Sequence, residues 1–382
     1  MNAGRVIIGA NYGDEGKGLF TDYFASQDPE NSLVVRFNGG AQAGHTVVTP
    51  DGRRHVFSHF GSGSFVGAPT FLSKFFIVNP LIFVREISDL HKLGVKPNIT
   101  IDGDAMLTTP YDMFINQTTE RRRGTKRHGS CGLGINETVT RSLRSPALKL
   151  RAREMLNPTL LFQKLIELKT SWFAERLKEF NIDPHSEDSA IFFEKSESIL
   201  KEFVTDTQTL LEFTSISKCY PNAKHIIFEG AQGLMLDEDR IDQFPHVTRS
   251  KTGLTNVLHL APKFRLDKLN VTYVSRTYLT RHGAGPLDGE CDWVFPDSTN
   301  VPNQFQGTLR FAPLDLQTLQ KSIKCDLLRA QTARNHICAD IAMTCLDQVP
   351  MPKVGELFLP VNHVCHGPTR AAVRPALSCA ER

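Results

Sequence analysis

Arg5-Val6-Ile7-Ile8-Gly9-Ala10, followed after Asn11-Tyr12 by Gly13-Asp14-Glu15-Gly16-Lys17-Gly18, is the stretch on which the reading of this chain turns. The apolar run predicts a buried strand, and the glycine-rich loop joins it to a helix. A phosphate cradle needs converging backbone N–H groups, glycines that let them converge, and a lysine to meet the negative charge. Gly13, Gly16, Lys17 and Gly18 supply all of these. The spacing is shorter than G-x-x-x-x-G-K-[ST], because two residues separate Gly13 from Gly16 and Gly18 follows Lys17. Asp14 and Glu15 suit such a site if one binds Mg²⁺ or moves a proton. Without a ligand they would be ordinary solvated turn residues.

Further β-rich runs recur at Leu33-Phe37, Ile99-Ile101, His225-Phe228, Asn270-Val274 and Asp340-Thr344, with helical stretches between them. That alternation predicts an α/β fold with a mostly parallel central sheet and helices on both faces. Ligands of open α/β sheets bind where strands end. The second run ends in Asn38-Gly39-Gly40-Ala41-Gln42-Ala43-Gly44-His45-Thr46 and the fourth in Glu229-Gly-Ala-Gln-Gly233. His45, amid small residues, can reach a substrate oxygen or be structural. Residues 151–216 alternate charged and apolar positions in Leu160-Leu168, Phe173-Phe180 and Ala190-Phe203, predicting a helical insertion. Residues 286–313 are rich in Pro, Asp, Asn and Gly and predict a long loop over the site. A single catalytic domain spanning 1–382 with these excursions fits better than two independent domains.

The 382 residues, 40% hydrophobic and 22% charged, match a soluble globular protein, and a net charge of +3 demands neither a nucleic-acid nor a membrane partner. Small anionic ligands suit local clusters such as Arg121-Arg122-Arg123. Cysteines 131, 219, 291, 325, 338, 345, 365 and 379 form no C-x-x-C pair, so a reduced, cytoplasmic setting is expected. No run approaches the roughly 18 to 20 apolar residues of a membrane helix.

These segments together resemble adenylosuccinate synthetases, which join aspartate to C6 of a purine nucleotide using a nucleoside triphosphate. The resemblance rests on the phosphate loop, Gly39-Gly40 with Ala43-Gly-His-Thr46, Phe228-Glu-Gly-Ala-Gln-Gly233 with Leu236-Asp237, Pro245-His-Val-Thr248, Gly283-Ala-Gly-Pro286, Thr344-Cys-Leu-Asp347 and Gly367-Pro368. It implies a P-loop-NTPase-like ligase fold that transfers the γ-phosphoryl group to the purine O6, after which the aspartate amine displaces phosphate. It further implies that Asp14 takes the N1 proton, that Asp14 and the Gly44 carbonyl hold Mg²⁺, and that His45 stabilises charge near O6. Lys17 neutralises phosphate oxygens and Gln232 completes the catalytic set. The triphosphate would lie against Gly13, Glu15, Gly16, Lys17, Gly18, Gly44, His45, Thr46, Arg310, Thr344, Asp347 and Gly367. The purine monophosphate would lie against Asp14, Asn38, Gly39, Ser130, Cys131, Arg141, Gln232, Val247 and Thr248. Gly307, Thr308 and Arg310 would take aspartate. Arg141 matches an arginine that crosses a dimer interface, which implies a homodimer.

Four departures bear on substrate. Ala41-Gln42 replaces His-Asn, Leu133 replaces an arginine, and Cys345 replaces the lysine that reads guanine in GTP. The segment Gln304-Phe-Gln-Gly-Thr-Leu-Arg-Phe-Ala-Pro-Leu-Asp315 replaces an arginine-rich loop that binds aspartate and reaches the ribose, leaving Arg310. Loss of a ribose-reading arginine removes a reason to demand a 2′-hydroxyl. The chain therefore resembles the viral branch of the family, which uses deoxyguanylate to make the succino precursor of 2-aminoadenine deoxynucleotide, with ATP or dATP as phosphoryl donor at least as well suited as GTP. The alternatives are an ordinary inosinate- and GTP-using synthetase and a nucleotide-binding regulator that has lost the chemistry.

Overall fold

The computed structural model describes residues 2–126, 128–296, 299–300, 307–352 and 357–376. Its centre is a ten-stranded sheet built, in chain order, from β1 (Ala3–Gly9), β2 (Ser32–Arg36), β3 (Thr70–Leu72), β4 (Ile99–Asp102), β5 (Thr214–Ser217), β6 (His225–Gly233), β7 (Lys268–Arg276), β8 (His336–Thr344), β9 (Val361–Cys365) and β10 (Val373–Pro375). The spatial order is β10-β9-β8-β7-β1-β6-β2-β3-β4-β5. Every neighbouring pair is parallel except β9 with β10. β1 lies between β7 and β6, and its apolar run is continuous because both faces of a parallel sheet are covered.

Alternation along β1 divides the core. Val6 and Ile8 pack with Leu254, Val257, Leu260, Leu319 and Ile323, from helices Leu254–Leu260 and Leu316–Arg329. Ile7 points the other way, onto Leu19, Phe20 and Phe24 of helix Lys17–Ala25. The phosphate-loop helix is thus clamped to the central strand it follows.

Residues 152–213 are almost wholly helical: Pro158–Leu168 runs through the π-turn Lys169–Phe173 into Ala174–Glu179, then come Glu187–Glu194 and Ser196–Phe213. Their buried residues, among them Leu161, Leu165, Trp172 and Phe203, join one cluster with Phe83 and Phe114 of helices Pro80–Lys92 and Pro110–Arg123. The latter helix is started by a capping box, with Thr109 and Asp112 satisfying each other's backbone N–H and Pro110 in the first turn.

The expected loop over 286–313 differs in its last part. Leu309–Pro313 is a strand paired antiparallel with Tyr278–His282, with Arg281 opposite Arg310. Phe295 stacks on Tyr278 at 4.5 Å and meets Phe311 at 5.4 Å, so aromatic packing fixes the preceding segment as well. Residues 297–298 and 301–306, including Gln304, Phe305 and Gln306, lie outside the described residues.

Candidate functional site

The phosphate loop begins where β1 ends. Gly16 takes a left-handed conformation (φ 99) at the start of helix Lys17–Ala25, and no side chain caps that end. Its first N–H groups are therefore available to an anion. Glu15, 2% exposed, accepts from the backbone N–H of Asn11 at 3.0 Å and of Gly13 at 2.8 Å, and pairs with Lys17 Nζ at 2.8 Å. Both of its oxygens are committed, so this side chain braces the loop. A Cβ on Gly18 would lie 3.1 Å from His45 Cβ and 3.0 Å from Ser62 Oγ, so glycine lets the helix close against the second loop. Thr344 Oγ1 donates to the Glu15 carbonyl at 2.8 Å, beneath the cradle.

Asp14 lies half-buried at φ 60, its carbonyl accepting from Arg276 Nε at 2.5 Å. Burial raises its carboxyl above the usual range, with Arg276 and Lys17 offsetting this and Glu15 adding to it. The carboxylate accepts no hydrogen bond from any described residue. Among the described residues no cluster of three or more His, Cys, Asp or Glu could hold a metal by itself. The Asp14 carboxylate and the carbonyl of the exposed residue Gly44 are oxygen donors of the type Mg²⁺ takes.

His45, 6% exposed, contacts Glu229 Oε1 through Nδ1 at 2.6 Å. Glu229 also accepts from Ser62 N at 3.1 Å and from Ser62 Oγ. Burial and the Arg36 cation pull His45 down to about 4 against the pull of Glu229. Burial alone would raise Glu229, but His45 and Arg36 hold it at about 2. A neutral imidazole that donates from Nδ1 is the consistent state, and Nε2 is buried without a partner, open to a ligand. Sequence reasoning quoted Glu229 within a motif without giving it a role, and Ser62 and Arg36 went unnoticed. The one legible signal was a glutamate at the end of a buried strand.

The wall beside His45 comes from the ends of β2 and β6. Asn38 is fully buried and exchanges hydrogen bonds with Ala231, accepting at 2.8 Å and donating at 3.5 Å. It ties the two strand ends together. Gly39 N donates to Ser250 Oγ at 2.9 Å, and a Cβ there would strike Ala231 at 2.6 Å. Gln232 (φ 44) has a buried, unpartnered Oε1, and Gln42 has both amide atoms buried and unpartnered. Unpaired buried polar atoms are costly, so these amides mark the place where a ligand supplies partners.

Ser130 is held by Asn116 Nδ2 at 2.7 Å, and burial pushes the neighbouring Cys131 thiol up to about 11. The 128–130 segment meets the loop bearing Val247 and Thr248 where His246 Nδ1 contacts the His128 carbonyl at 3.2 Å. Val247 and Thr248 are half-buried, Thr248 N donating to the Leu236 carbonyl at 2.8 Å. Gly367 is half-buried and accepts from Cys365 Sγ at 3.0 Å, whereas Asp347 is exposed.

Two assigned arginines are engaged elsewhere. Arg141 is fully buried and paired with Asp112 at 2.8 Å, while also donating to the carbonyls of Leu107 at 2.9 Å and Leu148 at 2.7 Å. Within its own chain it serves as a core brace, held by the Asp112 carboxylate of the capped helix. Arg310 donates to the carbonyls of Gly283 at 2.9 Å and Gly285 at 2.7 Å and pairs with Glu290 at 2.6 Å. Its fork fastens the antiparallel ribbon to the Gly-Ala-Gly turn. Gly307 accepts from His282 Nε2 at 3.3 Å and Thr308 is exposed. Thr46 Oγ1 lies 2.8 Å from Thr299 Oγ1. A cavity of about 330 Å³ lined by Met113, Phe114, Phe192 and Phe203 lies among the helices, away from the strand ends.

The family model of adenylosuccinate synthetase matches residues 6–322. The adenylosuccinate synthetase of Borrelia duttonii is 30% identical over 351 residues, spanning 90% of this chain and 76% of the relative. That of Clostridium beijerinckii is 30% identical over 306 residues, spanning 76% and 67%. Among solved structures, fully ligated adenylosuccinate synthetase from Plasmodium falciparum superposes with a TM-score of 0.74 at 19% identity, covering 99% of this chain and 100% of that one. The cyanophage S-2L succinoaminodeoxyadenylate synthetase, bound to dGMP and dATP as an energy donor, superposes with a TM-score of 0.65 at 16% identity, covering 100% and 97%. With a phosphate cradle after β1, an oriented histidine after β2 and unpartnered amides beside it, the chain belongs to the adenylosuccinate synthetase family, ligases that join aspartate to a purine nucleotide.

Proposed function

We propose that the acceptor is deoxyguanylate and the donor ATP or dATP, so that dGMP, L-aspartate and ATP give N6-succino-2-amino-dAMP, ADP and phosphate through a 6-phosphoryl intermediate. The observation that carries this reading is the tether of Arg310. With its donors on Gly283, Gly285 and Glu290, the one arginine left in this segment is already engaged. An arginine not held for a ribose 2′-hydroxyl supports tolerance of a deoxynucleotide. Guanine and hypoxanthine share the O6 and N1–H that the reaction uses, and guanine adds a 2-amino group. The unpartnered Gln42 amide, on the changed side of the pocket, supports accommodation of a new polar group. The fold likeness to the cyanophage enzyme is in keeping with this reading.

In this reading Asp14 takes the N1 proton, Lys17 meets the transferring phosphoryl oxygens, and His45 Nε2 faces O6. Gln232, Ser130 and Thr248 hold the nucleotide. Asp14 and the Gly44 carbonyl would hold Mg²⁺, which when bound neutralises phosphate charge. The chain works as a homodimer on small-molecule substrates, in the cytoplasm of the host if it is viral, and with neither nucleic acid nor membrane as partner. The exposed Leu143, on the helix that carries Arg141, supports a self-association face, which sedimentation tests.

The retained Asp14 favours a second reading, an ordinary synthetase using inosinate and GTP. Competition between dGMP and IMP at saturating aspartate decides. A higher kcat/KM for dGMP is expected, and the reverse preference overturns the deoxyguanylate reading while leaving the family intact. Failure to turn over either acceptor would point to the regulator that has lost the chemistry.

A further inference from the structure

The second substrate of this family carries two carboxylates, and a site for it needs cationic donors, best supplied by an arginine fork. Most cations around the cleft are already engaged. Lys17 is paired with Glu15 at 2.8 Å. Arg276 donates to the Asp14 carbonyl and to Tyr278 Oη at 2.9 Å. Arg281 is 1% exposed and donates to Gln243, Pro286 and His246. Arg310 is fixed on the Gly-Ala-Gly turn.

Arg54 differs. It opens the strand Arg54–Phe57, which pairs antiparallel with His45–Val48 in the register Val48 opposite Arg54 and Thr46 opposite Val56. The two-residue period puts Arg54, Val56, Thr46 and Val48 on one face of this hairpin. The other face carries His45, Val47, 1% exposed, and Phe57, fully buried, and is anchored in the core. Arg54 Nη2 donates to Thr299 Oγ1 at 2.7 Å, and that hydroxyl lies 2.8 Å from Thr46 Oγ1. Thr46 directly follows His45 in the strand, so the half-buried guanidinium is linked through Thr299 to the chain neighbour of His45, from the opposite face of the hairpin. Among the described residues it has no carboxylate within ion-pair distance, whereas its neighbour Arg53 pairs with Asp51 at 2.9 Å. A partly desolvated guanidinium held by a neutral hydroxyl retains donors for an anion.

We propose that Arg54, steadied by Thr299, binds a carboxylate of the incoming aspartate. It is a binding residue for the family's second substrate, and the inference does not depend on which purine is the acceptor. The geometry also explains how the chain manages without an arginine-rich aspartate loop, since the cation comes from the neighbouring hairpin.

The test uses Arg54→Met and Arg54→Lys in the full-length protein, with Arg53→Met as control and thermal melting to verify folding. Loss of a charge-assisted contact should raise the KM for aspartate by about 10- to 100-fold. Succinate, which carries both carboxylates and no amine, serves as a dead-end probe, and its Ki should rise by the same factor. The KM values for the purine nucleotide and the triphosphate should stay within about twofold. Arg54→Lys should recover part of the loss, and Arg53→Met should behave as wild type. The proposal is overturned if folded Arg54→Met keeps its aspartate KM and succinate Ki, or if the triphosphate KM is the constant that rises, which would make the bound anion a phosphate.

Discussion

Replacing Glu229 with Gln preserves the shape of the side chain and removes one charge. The Glu229 carboxylate is fully buried, accepts from His45 Nδ1 at 2.6 Å and from Ser62 through both N and Oγ, and is paired in strand register with Arg36. An amide has one accepting oxygen, so its NH₂ must face either the His45 Nδ1–H or a Ser62 donor, and one of these loses its acceptor. A hydrogen bond to a charged group contributes about 1.5–3 kcal/mol, which corresponds to a fall in kcat of roughly 10- to 100-fold if His45 is misdirected by its loss. Arg36, whose Nε and Nη2 have no hydrogen-bond partner, also loses one of the two buried carboxylates that act on it, Glu229 and Glu86. A buried donor left unsatisfied costs about 1–3 kcal/mol of stability. The effect depends on pH with a definite sign. Glu229 is held at about 2 against an ordinary 4.5, so its stabilisation is present above about 4.5 and is lost as the pH falls toward 2. The variant should lose that part of the acid sensitivity and melt lower at neutral pH. The assay is rapid-quench phosphate release at saturating substrates beside calorimetric melting, with the triphosphate KM reporting on the untouched Glu15–Lys17 pair. A kcat within about threefold of wild type, in a protein that melts at the wild-type temperature, would refute the view that Glu229 positions His45.

Asp14→Ala should abolish turnover while leaving nucleotide binding measurable, and wild-type rates in that variant would exclude its proton-transfer role. Because burial raises the Asp14 carboxyl above its ordinary 3.8 and a base must be ionised, the acid limb of the pH–rate profile should lie above pH 3.8; a rate still level below that pH counts against the assignment. Arg141→Met should destabilise the fold by about 3–5 kcal/mol by stranding Asp112. An unchanged melting temperature with a raised nucleotide KM would instead restore Arg141 to the binding site.

The sheet was legible because parallel strands buried on both faces leave continuous apolar runs, and each of the runs read from sequence falls on a sheet strand. Leu309–Pro313 was not, because an antiparallel ribbon outside the main sheet has no such run and its pairing with Tyr278–His282 is a long-range event. The phosphate loop was legible because glycines and lysine are close together in sequence. The Glu229–His45 contact spans 184 positions and could not be seen from either residue. Arg141 shows the opposite limit: nothing local tells a surface arginine from one bidentate to a buried aspartate 29 residues earlier.

The placement of groups on the sheet has an evolutionary side. Asp14 and Lys17 follow β1 and Gln232 belongs to β6, adjacent strands locked in parallel register, while His45 opens its own hairpin and is tied to β6 through Glu229. The phosphoryl chemistry therefore rests on a part of the molecule that cannot drift without unzipping the sheet. The ribbon of Tyr278–His282 and Leu309–Pro313, and the far strand of the hairpin that carries Arg54, lie outside that sheet. A lineage can trade arginines among those outer pieces, changing which sugar or acid is welcomed, while the reaction at O6 is inherited intact.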